Sequence, residues 1–167
     1  MTTSVPPGTW LAFDYGAWRI GVAVGEQMLG SARPLTTLHH RNAHQIEWDA
    51  IARLLDEWRP VGLVLGWPVM DTGETYPVAE FIRRFGRRLE GRFNLPVRYV
   101  DERLSSEHAE MLLTARHGKD KVRKSPGMID AQAAAIILET FFSQSPVRSA
   151  DDPVEFSVAP QVNGTNS

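Results

Sequence analysis

Apolar and polar positions alternate first over residues 9–14, 19–24 and 28–37, which predicts three strands that pair antiparallel through short turns. Between the first two, Leu11-Ala-Phe-Asp14-Tyr-Gly16-Ala-Trp-Arg19-Ile-Gly21-Val-Ala-Val24 reads as strand, turn and returning strand. Pro34 marks the third strand as an edge or a bulge, because proline cannot donate to a ladder. The period then changes from two to about 3.6. Asn42 with Gln45 has the form of a capping box. Ile46, Ala50, Leu54 and Trp58, with Ile51 and Leu55 beside them, make the apolar stripe of a helix ending at Arg59-Pro60. Val61–Gly66 is apolar on both faces, as in a covered parallel strand. A loop is expected from Trp67 to Thr75, either a structural turn or a substrate loop. A second helix follows Pro77, with Val78, Phe81, Ile82, Phe85 and Leu89 inward and Arg83, Arg84, Arg87 and Arg88 outward. Val97–Val100 is a last strand that ends in Asp101-Glu102-Arg103. Ser105 caps a helix to about Arg116, with Ala109, Leu112 and Leu113 inward, and Ser125-Pro126 opens a final helix to about Phe142. The order β-β-β-α-β-α-β-α-α describes a mixed sheet with helices packed on it.

Length and composition narrow the class. The 167 residues suit one domain with a real core. The expected organisation is a flexible leader 1–8, a single domain 9–143 and a polar, disordered tail 144–167. There is no cysteine, which excludes disulfides and cysteine-ligated zinc and agrees with a cytoplasmic location. No apolar run is long enough to span a membrane and the first residues lack a signal-peptide pattern. A net charge of −2 alone argues for no polyanionic partner. The charge is uneven, however: residues 82–124 hold twelve Lys and Arg against six Asp and Glu. Such a segment is either a solvated face or an anion-binding stripe. His39, His40 and His44 cluster before the first helix, but with no matching acid or fixed spacing they read as solvent-facing turn residues.

Acids stand at three distant points of the chain, each at the sheet or on a helix that covers it. Asp14 interrupts the first strand. A buried carboxylate is costly unless it is paired, hydrogen-bonded or bound to a cation. If the small residues Gly21 and Ala23 of the next strand lie beside it, the sheet has a bare floor there, where a metal or a phosphate can sit; an ordinary hairpin turn stabilised by Asp14 is the alternative. Asp130 shares a helix face with Ala133, Ala134, Ile137, Leu138 and Phe141, and the alanines around it allow close approach to the sheet; a cap of a helix that starts late is the alternative. Asp101-Glu102 stands at the end of the last strand, where it serves either the site or the start of the next helix. Converging carboxylates repel, and the usual compensation is a divalent cation with oxygen ligands. Carboxylate-held metal pairs cleave phosphodiesters.

With these positions in view, Phe13-Asp14-Tyr-Gly16-Ala-Trp-Arg19-Ile-Gly21-Val-Ala23 resembles the opening motif of the YqgF family. These are Holliday-junction-resolvase-like proteins of the RNase H-like fold, regarded as pre-16S rRNA nucleases. Leu65-Gly66-Trp-Pro68 with Met70-Asp71-Thr-Gly73 resembles the second motif, Asp101-Glu102-Arg103-Leu104-Ser105-Ser106 the third, and Ile129-Asp130-Ala-Gln-Ala133-Ala134 the fourth. The resemblance spans residues 9–142. It implies a mixed five-stranded sheet, three antiparallel strands then two parallel, flanked by helices. It also implies Asp14, Glu102 and Asp130 as the catalytic, metal-binding acids, with Mg2+ or Mn2+ as cofactor and Asp14 bridging the ions. Two positions depart from the family pattern: Trp18 stands where lysine is usual, and Glu26 where aspartate is frequent. Trp18 is either a stacking surface for a base or an apolar turn residue.

The expected function is a metal-dependent nuclease processing the 5′ end of precursor 16S rRNA. Arg19, Arg103, Lys119, Lys121, Arg123 and Lys124 would hold phosphates of precursor rRNA or of branched DNA. The chain would act in the cytoplasm, away from membranes, as a monomer or weak homodimer. The rivals are a Holliday-junction DNA resolvase, a non-catalytic RNA-binding or assembly protein on the same fold, and an actin-like or sugar-kinase-like ATPase. The ATPase needs a second lobe for which 167 residues leave no room.

Overall fold

A computed structural model describes residues 7–70, 72–104, 126–144 and 148–149. Strands β1 (Thr9–Tyr15), β2 (Arg19–Glu26) and β3 (Ser31–His39) form an antiparallel meander. Helix α1 (Trp48–Trp58) leads to β4 (Gly62–Met70), which runs parallel to β1. Helix α2 (Ala79–Phe93) leads to β5 (Val97–Leu104), parallel to β4. Helix α3 (Pro126–Ser143) closes the fold. The mixed sheet has the expected form, three antiparallel strands followed by two parallel ones. Its order is β3-β2-β1-β4-β5, extended by β6 (Arg148–Ser149) antiparallel to β5. This two-residue strand falls in the segment expected to be tail. β3 is the free edge, and its register shifts opposite Val22 and Ala23, beside Pro34, as the proline requires. Among the described residues no helix is long and apolar enough to cross a membrane.

The two sheet faces carry different residues, because side chains alternate along each strand. One face is built from Leu11, Phe13 and Tyr15 of β1, Ile20, Val22 and Val24 of β2, Leu63, Leu65 and Trp67 of β4, and Val97 and Tyr99 of β5. Helices α1 and α2 cover it through Ile51, Leu55, Ile82, Phe85 and Leu89. The other face presents Trp10, Ala12, Val64 and Val100, and α3 covers it through Ile137, Leu138 and Phe141.

Several elements differ in detail from the expected ones. The Asn42–Gln45 pair does form, at 2.8 Å, but it closes a turn ahead of α1 rather than capping the helix, because His44 between them adopts a left-handed conformation (φ 59°). β4 continues through Trp67-Pro68-Val69-Met70, where a loop was expected; β1 ends at Tyr15, so the edge beyond it asks no donor of Pro68. A tight return follows, with Gly73 N–H donating to Met70 O and Met70 N–H to Glu74 O. β5 likewise continues through Asp101-Glu102-Arg103 to Leu104. On α2, Ala79 and Gly86 join the buried stripe, while Phe81 leaves it to stack on His44 at 3.6 Å. The expected helix from Ser105 and the cap at Ser125 lie outside the described residues.

Candidate active site

Asp14 follows Trp10 and Ala12 in the alternation of β1, so it belongs to the face that α3 covers. Its register partner on β2 is Gly21. The small residue does lie beside the acid, as expected, but the floor there is not bare. A Cβ on Gly21 would collide with the carbonyl of Asp130. The missing side chain lets the first turns of α3 settle directly on β2, and that contact delivers Asp130 to the strand carrying Arg19. Asp130 is 4% exposed, and Arg19 Nε–H donates to its Oδ2 at 2.6 Å. The guanidinium expected on a phosphate therefore neutralises one of the three predicted acids.

A second glycine separates the other two acids. Gly66 follows Leu65, the partner of Phe13, as Asp14 follows Phe13, so Gly66 is beside Asp14 across the sheet. On its other side β5 brings in Glu102, whose register partner is Pro68. A Cβ on Gly66 would stand 3.4 Å from Glu102 Oε1 and 2.6 Å from Ile137 Cδ1. Asp14 and Glu102 thus flank a strand position without a side chain, at the C-terminal ends of three parallel strands. Burial pushes the Glu102 carboxyl up to about 8, and the Asp14 charge adds to the rise. Asp14 is close enough for its charge to oppose the ionisation of Glu102.

Among the described residues no group of three or more His, Asp or Glu side chains is already disposed to hold a metal ion. The arrangement is an opposed pair, Asp14 and Glu102, with a third acid held by Arg19. Its donor chemistry fits a hard divalent cation: all carboxylate oxygens, with one group that burial keeps protonated until a positive charge arrives. Arg103 stands opposite Val69 in the β4–β5 register. Lys119, Lys121, Arg123 and Lys124 lie outside the described residues.

His40 and His44 are not solvent-facing turn residues, and the exposed His39 is the last residue of β3. His40 is buried, and its Nε2–H donates to Gly16 O at 3.0 Å. His44 Nδ1 shares a hydrogen bond of 2.9 Å with the Tyr15 hydroxyl. Burial lowers the His44 pKa, with His40 adding to the effect, and burial raises that of Tyr15. Sequence spacing could not show this, since the partners come from β1 and its turn. The departure at Glu26 is remote from the acids: Glu26 pairs with Thr9 at the far end of β1 and accepts its hydroxyl at 2.6 Å.

Residues 8–144 match the family described as "RuvX: Holliday junction resolvase". The chain is similar to a protein of Paraburkholderia phymatum named "Putative pre-16S rRNA nuclease", 43% identical over 148 residues, which are 89% of this chain and 93% of that one. A protein of the same name from Neisseria meningitidis is 47% identical over 142 residues, 85% of this chain and 92% of its own. Among solved structures, "T. thermophilus RuvC in complex with Holliday junction substrate" aligns with a TM-score of 0.46 and 15% identity, over 81% of this chain and 93% of that one.

Proposed function

Since this chain belongs to the RuvX family, also called YqgF, we propose that it is a metal-dependent nuclease that hydrolyses phosphodiester bonds in precursor 16S rRNA, at the 5′ end. The names of the curated relatives support the substrate. The observation that carries the chemistry is the opposed pair Asp14 and Glu102 across Gly66, with Glu102 displaced to about 8. An ordinary structural acid is stabilised by its neighbours; this one is destabilised by them, which is the condition of a site completed by a cation.

Asp14 and Glu102 would hold Mg2+ or Mn2+, with Asp130 as the third acid. When bound, such an ion supplies positive charge to the phosphoryl oxygens and acidifies a water. The side chains do the rest. Glu102 keeps a proton near neutral pH without the ion and gives it up when the ion arrives. Asp14 sets the field that makes this exchange favourable. Arg19 holds Asp130 on the α3 side and, being half-exposed, can turn to an incoming phosphate once Asp130 is engaged elsewhere. Arg103, Lys119, Lys121, Arg123 and Lys124 are the proposed phosphate contacts. The nuclease domain on this reading is 9–143, its location the cytoplasm, and a monomer or weak homodimer suffices.

The family description favours one second reading, cleavage of a DNA four-way junction. The test is incubation of the full chain with precursor rRNA and with a four-way junction in parallel, with magnesium, manganese or chelator. Metal-dependent cutting of the RNA is expected. Cutting of the junction alone would make it a resolvase, and binding without cutting would make it an assembly protein on a nuclease fold.

A further inference from the structure

The chain has five tryptophans. Trp10 and Trp67 are fully buried and Trp48 and Trp58 pack against the core. Trp18 is 60% exposed. A large aromatic ring left in water needs a reason, and its setting supplies one. Trp18 lies in the turn between β1 and β2, between the acid Asp14 and Arg19, the partner of Asp130. The turn is fixed by its own carbonyls, four in succession. Gly16 O accepts from His40 Nε2–H at 3.0 Å and Ala17 O from His44 N–H at 2.8 Å. Trp18 O accepts from His40 N–H at 2.9 Å and Arg19 O from Gly16 N–H at 2.9 Å. His40 and His44 are themselves anchored, the first by burial and the second by Tyr15 and by its stack on Phe81. An exposed ring is thus carried on a backbone that His40 and His44 hold in place.

We propose that Trp18 is a stacking platform that seats one nucleobase of an unpaired strand beside the acid site. The inference rests on the nuclease reading and names how that site engages its substrate. Sites for single strands combine cations for the backbone with aromatic faces for the bases. Arg19 adjoins Trp18 in the chain, and the exposed Arg41 follows the histidine that bonds the Trp18 carbonyl. A protein-docking patch would instead need neighbouring apolar surface. Around Trp18 the apolar bulk is small: Ala17 precedes it and Phe81 is largely covered by its stack on His44, whereas Arg19 follows it and Arg41 and Asn42 lie beyond His40. Two of the largest exposed apolar side chains, Met28 and Leu29, are in the β2–β3 turn at the opposite end of β2. A rigid turn also suits a platform, because a ring already held in place has less motion to lose on binding.

The test measures binding of a short single-stranded RNA, and of the DNA of the same sequence, to the full chain with chelator present so that nothing is cut. Trp18→Ala should weaken binding about tenfold, the worth of one stacked base, and Trp18→Phe should restore most of it. The dependence on salt should keep its slope, because no phosphate contact is lost. An abasic substitution at one position of the strand should cost the wild type as much as Trp18→Ala does, and should cost that variant nothing further. Melting temperatures of both variants should match the wild type, since the ring is exposed. Equal affinity of wild type and Trp18→Ala, or an abasic penalty that persists in the variant, overturns the platform and leaves the nuclease reading standing. No binding of either strand by the wild type overturns both. Loss of a homodimer in Trp18→Ala, with RNA affinity unchanged, would make the ring a protein contact instead.

Discussion

Phe13 and Asp14 are neighbours in the chain and belong to opposite faces of the same sheet, and the two faces obey different rules. Phe13 enters a face of large interlocking side chains, where its ring meets Phe85 edge-on at 5.7 Å. Nothing charged is needed there, and the helices stand off by the size of those side chains. Asp14 enters a face where the strands have Ala12, Gly21, Ala23 and Gly66, and where α3 comes down until its backbone meets Gly21. That closeness leaves little room for apolar bulk at its upper end and brings Asp14, Glu102, Asp130 and Arg19 to the α3 side of the sheet. One face supplies stability. The other gives up some of it to gather charge, a common exchange at functional sites.

The contrast can be broken most sharply at the chain neighbours themselves. Asp14→Asn should lower cleavage by at least about a hundredfold, a loss of several kcal/mol of transition-state stabilisation, while the melting temperature holds or rises. Glu102→Gln and Asp130→Asn should follow it, and Asp101→Asn should not; a damaging Asp101→Asn with a silent Glu102→Gln would show that the other acid of the pair is the functional one. Phe13→Ala should do the reverse, costing about 3–5 kcal/mol of stability in denaturant unfolding while the folded fraction cuts normally. Gly21→Ala joins the two effects. Its methyl meets the Asp130 carbonyl, so α3 must lift, at about 1–3 kcal/mol of stability and with cleavage lost through displacement of Asp130.

The last effect is in pH. Glu102 titrates near 8 in the fold, against 4.5 for an ordinary glutamate. Between these values the folded state holds a proton that the unfolded chain has released. Its stabilising share is therefore complete below about pH 4.5 and drains away as pH rises through 8. In metal-free buffer the wild type should lose stability over that window relative to Glu102→Gln. A flat difference between the two unfolding profiles would show that Glu102 is not held in its protonated form.

Much of this contrast was legible in the residues. The mixed sheet followed from the periods, and Asp14 and Asp130 announced themselves as acids on apolar faces. The strand ends were not legible, because their residues break the apolar period. Trp67-Pro68 reads as a loop and Asp101-Glu102-Arg103 as the end of a strand, yet both continue as β-structure where the site is built. The pairing of Arg19 with Asp130 is equally hidden, since 111 positions separate them and only the contact at Gly21 brings them together. The role of His40 and His44 depends on Tyr15 and on the carbonyls of a turn, which no spacing within 39–44 encodes. Residue types gave the chemistry; the close approach of α3 gave the partners.

The central claim is that the α3 face is a cation site in which burial and the Asp14 charge keep Glu102 from ionising until the cation arrives. Calorimetric titration of Mn2+ into the full chain at pH 7, in two buffers of different ionisation enthalpy, tests it most directly. The wild type should bind the ion and release up to about one proton per ion, that of Glu102, and Asp14→Asn should lose the binding. An identical isotherm for wild type and Asp14→Asn, or binding with no proton released, would contradict it.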